Sequence, residues 1–230
     1  MKNAFQWFGK HKIITAILVI AIIIVAAASG GAKTPNNSQT NNSTAAKSQN
    51  QSTNKPAARQ VTGTTTTLGA GTFTGGTDIA AGLYDVTPGA GQSGNFIVTG
   101  TDTYDEILGD NGIDGVPKVR AQISKGDKVE ISSLSAVTFT PVTAAFVTTH
   151  ATTTIYAGTF IVGQDVGAGR YVVTPGNGQT GNFIVTGSNS YDEILGGDSS
   201  LGEVPKVNAT LSKGDVIDIS GMSEVTLTAQ

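Results

Sequence analysis

Residues 206–220 read KVNATLSKGDVIDIS, and their alternation decides the fold. Side chains along a strand point to opposite faces with a period of 2. Val207, Ala209 and Leu211 therefore share one side and Lys206, Asn208 and Thr210 the other, which assigns the first set to a core. After the Lys-Gly-Asp of 213–215, Ile217 and Ile219 point the same way, opposite Asp218. The glycine can take φ > 0, as a tight reversal between strands requires. The segment reads as two antiparallel strands joined by a turn.

Outward from this segment, the chain copies itself. SKGD at 212–215 has an earlier partner at 124–127, VPKV at 204–207 one at 116–119, YDEILG at 191–196 one at 104–109, GNFIVTG at 181–187 one at 94–100, and AGTF at 157–160 one at 70–73. The offset of about 87 residues is too long for a solenoid unit and indicates tandem domains. The first domain is expected at 62–141, a short linker at 142–148, and the second domain at 149–230. In the second copy, runs rich in Val, Ile, Thr, Phe and Tyr predict strands at 152–155, 157–163, 170–175, 181–187, 191–195, 204–211, 216–220 and 224–228. Tyr171 and Val173 share an inward face, as do Val225 and Leu227. Tyr84, Val86, Val119, Ala121, Ile131 and Val137 match their partners in the second copy, whereas Leu83/Arg170, Asp85/Val172 and Arg120/Asn208 differ. The fold class is all-β: two tandem small antiparallel β-sandwich or jelly-roll-like domains.

The string AGTFIVGQDVGAGRYVVTPGNGQTGNFIV, closing with LSKGDVIDISGMSEVTLT, resembles an uncharacterised, tandem-repeated extracellular β-domain of Gram-positive bacterial surface proteins. That family opens with G-x-Y/F-x-V-G-x-D-I-x-x-G-x-Y and ends in L-x-x-G-D. The resemblance covers both copies; the first departs from it at Thr74-Gly75. It implies an exported β-domain and no particular activity.

The 61 residues before the repeats are of another kind. Between Lys12 and Lys33 lies an uncharged apolar run. At 13–32, its roughly 20 residues would form a helix of about 30 Å, the thickness of a bilayer core. Lys2, Lys10 and Lys12 make residues 1–12 a cytoplasmic flank by the positive-inside rule, with everything after the helix outside the cell. Ala26-Ala27-Ala28 offers the alternative of a cleaved signal peptide and a secreted product. The apolar run sits at or beyond the usual length of such a segment, which favours retention as a signal anchor. Residues 33–61 are polar, with almost no large apolar side chain, and are read as a disordered linker. The formal net charge of −3 is an average, since no acidic residue precedes Asp78 and seven lysines and arginines do.

Composition also narrows the chemistry. The chain has no cysteine, which removes disulfides, thiolate catalysis and a lipoprotein anchor. Its two histidines are His11, in the flank, and His150, between the copies, so neither domain carries a histidine base in its body. Asp105-Glu106 and Asp192-Glu193 are neighbours in a strand and point to opposite faces, against a two-carboxylate site. An enzyme is not expected, nor a cofactor, and net-acidic repeats do not suit nucleic acid. Asp110 and Asp114 fall in a loop with partial calcium-loop spacing, but Ala121 stands where the last carboxylate belongs.

Binding is the expectation that remains. Two similar domains on a tether can engage a repetitive polymer together, such as a cell-wall or host polysaccharide, with membrane attachment through 13–32. Candidate contacts are Tyr104, Asp105, Glu106 and Lys118 in the first copy and Tyr191, Asp192, Glu193 and Lys206 in the second, the two tyrosines being the aromatics expected to be most exposed. A structural spacer of the envelope is the competing expectation.

Overall fold

A computed structural model describes residues 63–109, 114–143 and 147–230. The expected anchor and tether lie outside these residues, as does Asp110. The described chain is all-β. The first repeat contributes β1 (Thr66–Leu68), β2 (Gly71–Thr74), β3 (Gly82–Pro88), β4 (Ser93–Thr99), β5 (Tyr104–Gly109), β6 (Val119–Ile123), β7 (Lys128–Ser132) and β8 (Val137–Pro141). The second contributes β9 (Thr153–Ile155), β10 (Gly158–Ile161), β11 (Gly169–Pro175), β12 (Gly181–Thr186), β13 (Tyr191–Leu195), β14 (Val207–Leu211), β15 (Val216–Ser220) and β16 (Val225–Ala229). Among the described residues a single 3₁₀ turn, at Ser199–Leu201, interrupts them, capped by the Asp198 side chain accepting from Ser200 N.

The strands form three sheets. In the first repeat, β1-β8-β3-β6 and β2-β7-β4-β5 are each antiparallel; in the second, β9-β16-β11-β14 and β10-β15-β12-β13 repeat that order. The count is three rather than four because β6 pairs with β10 in parallel, at Arg120 and Gly158, and joins one sheet of each repeat into a single eight-stranded sheet.

Each repeat has its own hydrophobic cluster, drawn from both of its sheets. Tyr84 and Val86 of β3, Phe96 of β4, Val129 of β7 and Phe139 of β8 are fully buried, and the Phe96 and Phe139 rings meet edge to face at 6.0 Å. In the second repeat Tyr171, Val173, Phe183, Ile217, Ile219 and Leu227 do the same. Every alternation drawn from the sequence holds: Val207, Ala209 and Leu211 face in, and Asn208 and Thr210 face out. Gly126 (φ 91°) and Gly214 (φ 94°) adopt the left-handed conformation that the Lys-Gly-Asp turns require.

One residue crosses between the clusters. Ala157, just before β10, belongs to the second repeat by sequence but is fully buried in the first repeat's core.

Candidate functional site

The densest arrangement of charged and aromatic side chains among the described residues lies where the repeats meet. Arg120 of β6 is its hub. Its Nε donates to Asp85 Oδ1 at 3.1 Å, its Nη1 to Asp165 Oδ1 at 3.1 Å, and its Nη2 to the Tyr156 hydroxyl at 2.7 Å. The Tyr156 hydroxyl donates in turn to Asp85 Oδ1 at 2.6 Å. Lys118 lies 3.6 Å from the centroid of the Tyr156 ring, and its Nζ is 3.9 Å from Asp85 Oδ2. The Arg120 guanidinium stacks 5.0 Å from the Phe160 centroid. A planar guanidinium presents its donors in a rigid fork, so it meets two carboxylates and a hydroxyl in a preset geometry that the compact ammonium of a lysine does not supply.

Strand pairing sets this geometry. Asp85 and Arg120 are directly opposed on β3 and β6, so their side chains leave the sheet on the same, outer, face. Tyr156, just before β10, and Phe160, within it, share one face of that chain segment and meet Arg120 from the second repeat. The Arg120 side chain retains 14% exposure and that of Asp165 only 1%. Burial raises the Tyr156 hydroxyl well above its ordinary pKa, and the hydrogen bond to Asp85 adds to the rise. Arg120 is held charged by Asp85, Tyr156 and Asp165 against the penalty of its burial.

The opposite face of the junction is acidic. Glu106 of β5 is 6% exposed and accepts from Gly221 N at 3.3 Å through both carboxylate oxygens. Burial pushes its pKa up to about 8, Gly221 opposes the rise, and Asp218 and Asp105 add to it. Asp218 of β15 is pushed up to about 6 by burial. Tyr104 is 7% exposed, accepts from Gln122 N at 2.9 Å and bonds the Thr159 side chain across the junction. Its hydroxyl is raised to about 12, chiefly by burial.

The candidate binding residues of the first repeat therefore divide between two tasks. Tyr104, expected among the most exposed aromatics, is buried, because the second repeat covers β5. Glu106 is enclosed with it. Lys118 faces outward, its side chain 37% exposed, and packs on the Tyr156 ring. Asp105 turns to the outer face of its own sheet, beside Ile97 of β4. In the second repeat the equivalent positions lie on or beside the edge strands β13 and β14. Asp192 and Lys206 are exposed there and Tyr191 and Glu193 half-buried, with the Tyr191 hydroxyl accepting from Thr210 N at 2.8 Å. Asp114 is exposed, and its carbonyl accepts from Ser93 Oγ. Among the described residues no three His, Cys, Asp or Glu side chains gather as metal ligands would.

Sequence reasoning missed Arg120, Asp85, Tyr156 and Asp165 as a set. The signal was present nonetheless: Arg120/Asn208 and Asp85/Val172 are among the pairs in which the copies differ, and Tyr156 has Gly69 as its counterpart. These differences mark the surface the first repeat uses and the second leaves open. At that open surface Arg170, Tyr171, Asn208, Ala209, Thr210 and Gln230 line a hollow of about 80 Å³. It is smaller than the roughly 300 Å³ at which small-molecule pockets begin.

No family model, curated protein or solved structure matches the chain.

Proposed function

We propose that the chain is a non-enzymatic, membrane-anchored display protein whose two repeats are tandem jelly-roll domains held outside the cell for adhesion or ligand binding. The order 1-8-3-6 over 2-7-4-5, present twice, is what two nested Greek keys give and supports the jelly-roll reading. The apolar run at 13–32 with its cationic flank supports the anchor, and the resemblance to extracellular β-domains of Gram-positive surface proteins supports the location. Cleavage after Ala28 would instead release the same pair into the medium.

The observation that carries the binding reading is a set of outward residues present in both repeats and used by neither core. Ile97 and Ile107, half-buried, flank Asp105 on the outer face of the first repeat, and Ile184 and Ile194, also half-buried, flank Asp192 on the second, where Ile184 borders Asp218 at the edge of the junction. Isoleucine on an outer face is the informative exception to apolar-in, polar-out alternation. Two such patches on a clamped pair would meet a repetitive polymer with the avidity of linked sites.

Residues 62–230 should be screened against wall polysaccharides, teichoic-type polymers and host matrix proteins by thermal shift. A shift that Ile97→Ser and Ile184→Ser together abolish is expected. No shift with any of them would favour the spacer reading, which the Arg120 clamp supports through the stiffness it gives the pair.

A further inference from the structure

The junction between the repeats is heterologous: the face offered by the first repeat differs from the face offered by the second. A heterologous contact leaves one unused copy of each face at the two ends, and such contacts propagate unless something stops them. The receiving face of the first repeat is the β6 edge with Tyr104, Glu106 and Lys118; its unused counterpart is the β14 edge with Tyr191, Glu193 and Lys206. The entering face of the second repeat is β10 with Ala157, Gly158 and Phe160. Its unused counterpart is β2 with Ala70, Gly71 and Phe73.

We propose that these two free edges bind each other between molecules, the β14 edge of one chain receiving the β2 edge of the next and repeating the β6–β10 junction head to tail. Four observations carry this. Both strands are sheet edges among the described residues; Thr210 N of β14 is taken by the Tyr191 hydroxyl, as Gln122 N of β6 is by Tyr104, and Asn208 holds the place from which Arg120 N donates to the Ala157 carbonyl. Gly158 sits so close to β6 that a Cβ there would strike the Arg120 carbonyl, and Gly71 keeps that position open in β2. The apolar residues that the inner junction buries are left uncovered at the ends: Ala157 is fully buried and Phe160 1% exposed, whereas Ala70 is exposed and Phe73 half-buried. Asp165, which receives Arg120, has its counterpart in Asp78, which is exposed.

The outer contact is weaker than the inner one by design of three positions. Asn208 replaces Arg120, Val172 replaces Asp85 and Gly69 replaces Tyr156, so an amide faces Asp78 where a guanidinium faces Asp165. The inner junction also has the benefit of a covalent connection, which the outer one lacks. Association therefore depends on how densely the chains are displayed.

The absence of cysteine makes the test direct. Full-length chains carrying Gly69→Cys and Asn208→Cys singly, the positions of Tyr156 and Arg120, are mixed in lipid vesicles and treated with a short bis-maleimide. Mixed chains should give a crosslinked heterodimer, and a chain carrying both substitutions a ladder. Lys125→Cys, in the exposed turn between β6 and β7, is the control partner for Gly69→Cys. A yield for the 69/208 pair no higher than for the 69/125 pair overturns the proposal. In a second arm, Asn208→Arg, Val172→Asp and Gly69→Tyr restore the inner set at the outer edges. Sedimentation in detergent should then show association tightened at least about tenfold, the equivalent of one added ion-pair interaction of about 1.4 kcal/mol. Unchanged sedimentation overturns the assignment of these positions.

Discussion

Asp215 is fully enclosed and ties two turns of the second repeat together. Its Oδ1 accepts from Ser188 N at 2.7 Å and its Oδ2 from Ser212 N at 2.8 Å and Asn189 Nδ2 at 2.9 Å. Asp127 does the same in the first repeat, accepting from Thr101 N and Ser124 N, each at 2.7 Å. Burial alone would raise the Asp215 carboxyl; the hydrogen bonds from Asn189, Ser212 and Ser188 bring it below its ordinary value. A lowered folded pKa contributes stability above the unfolded value of about 3.8, lost as pH falls through the folded value. Asp215→Asn turns one acceptor into a donor facing a backbone N–H and should cost about 1–3 kcal/mol, read as a lower melting temperature. Glu106 has the opposite sign. Its folded pKa of about 8 exceeds the ordinary 4.5, so the folded state holds a proton the unfolded state releases. Its contribution is full below pH 4.5 and declines until about pH 8, with Asp218 adding a decline between 3.8 and about 6. Melting temperature should fall from pH 5 to pH 9, and Glu106→Gln should flatten the part of that fall above pH 6. An equal slope in the variant would show that Glu106 does not titrate there. The Lys-Gly-Asp turn was legible in sequence; the carboxylate's grip on a second turn was not, because Ser188 and Asn189 reach it only through tertiary folding.

At the level of elements, the strands of the second repeat fall where alternation and turn residues place them. The predicted 216–220 and 191–195 coincide with β15 and β13, and the predicted 157–163 and 204–211 shorten to β10 and β14 at their ends. Alternation and turn residues are local signals, and local signals place strands. Which edges pair is another matter. Nothing in the local pattern of AGTF distinguishes β10, paired with β6, from β2, which is a free edge. Gly158→Ala puts a methyl group against the Arg120 carbonyl at a φ of 115°, and should open the β6–β10 contact. The Arg120 amide, which donates to the Ala157 carbonyl at 2.9 Å, is then expected to lose hydrogen-exchange protection. Gly71→Ala, whose added methyl meets chiefly its own Phe73 ring, should leave that amide protected.

For the molecule as a whole, the shared sheet and the Arg120 clamp couple two cores that would otherwise melt as they pleased. Calorimetry should show one transition. Arg120→Asn with Tyr156→Gly, the residues of the counterpart positions, removes the clamp from the enclosed Asp165 at a cost of about 3–5 kcal/mol and should resolve two transitions, one per repeat. A single transition in that variant would mean the backbone junction and Ala157 suffice. The sequence by itself determined the strands, the inward faces and the duplication, because periodicity, turn chemistry and self-similarity are written along the chain. Only the tertiary structure decided that Arg120, Asp85, Tyr156 and Asp165 meet, and that Tyr104 and Glu106 are enclosed rather than offered to a ligand. Those contacts join residues up to 115 positions apart. Their partners are chosen by which sheet edges close on one another, a three-dimensional matter on which the period of a strand carries no information.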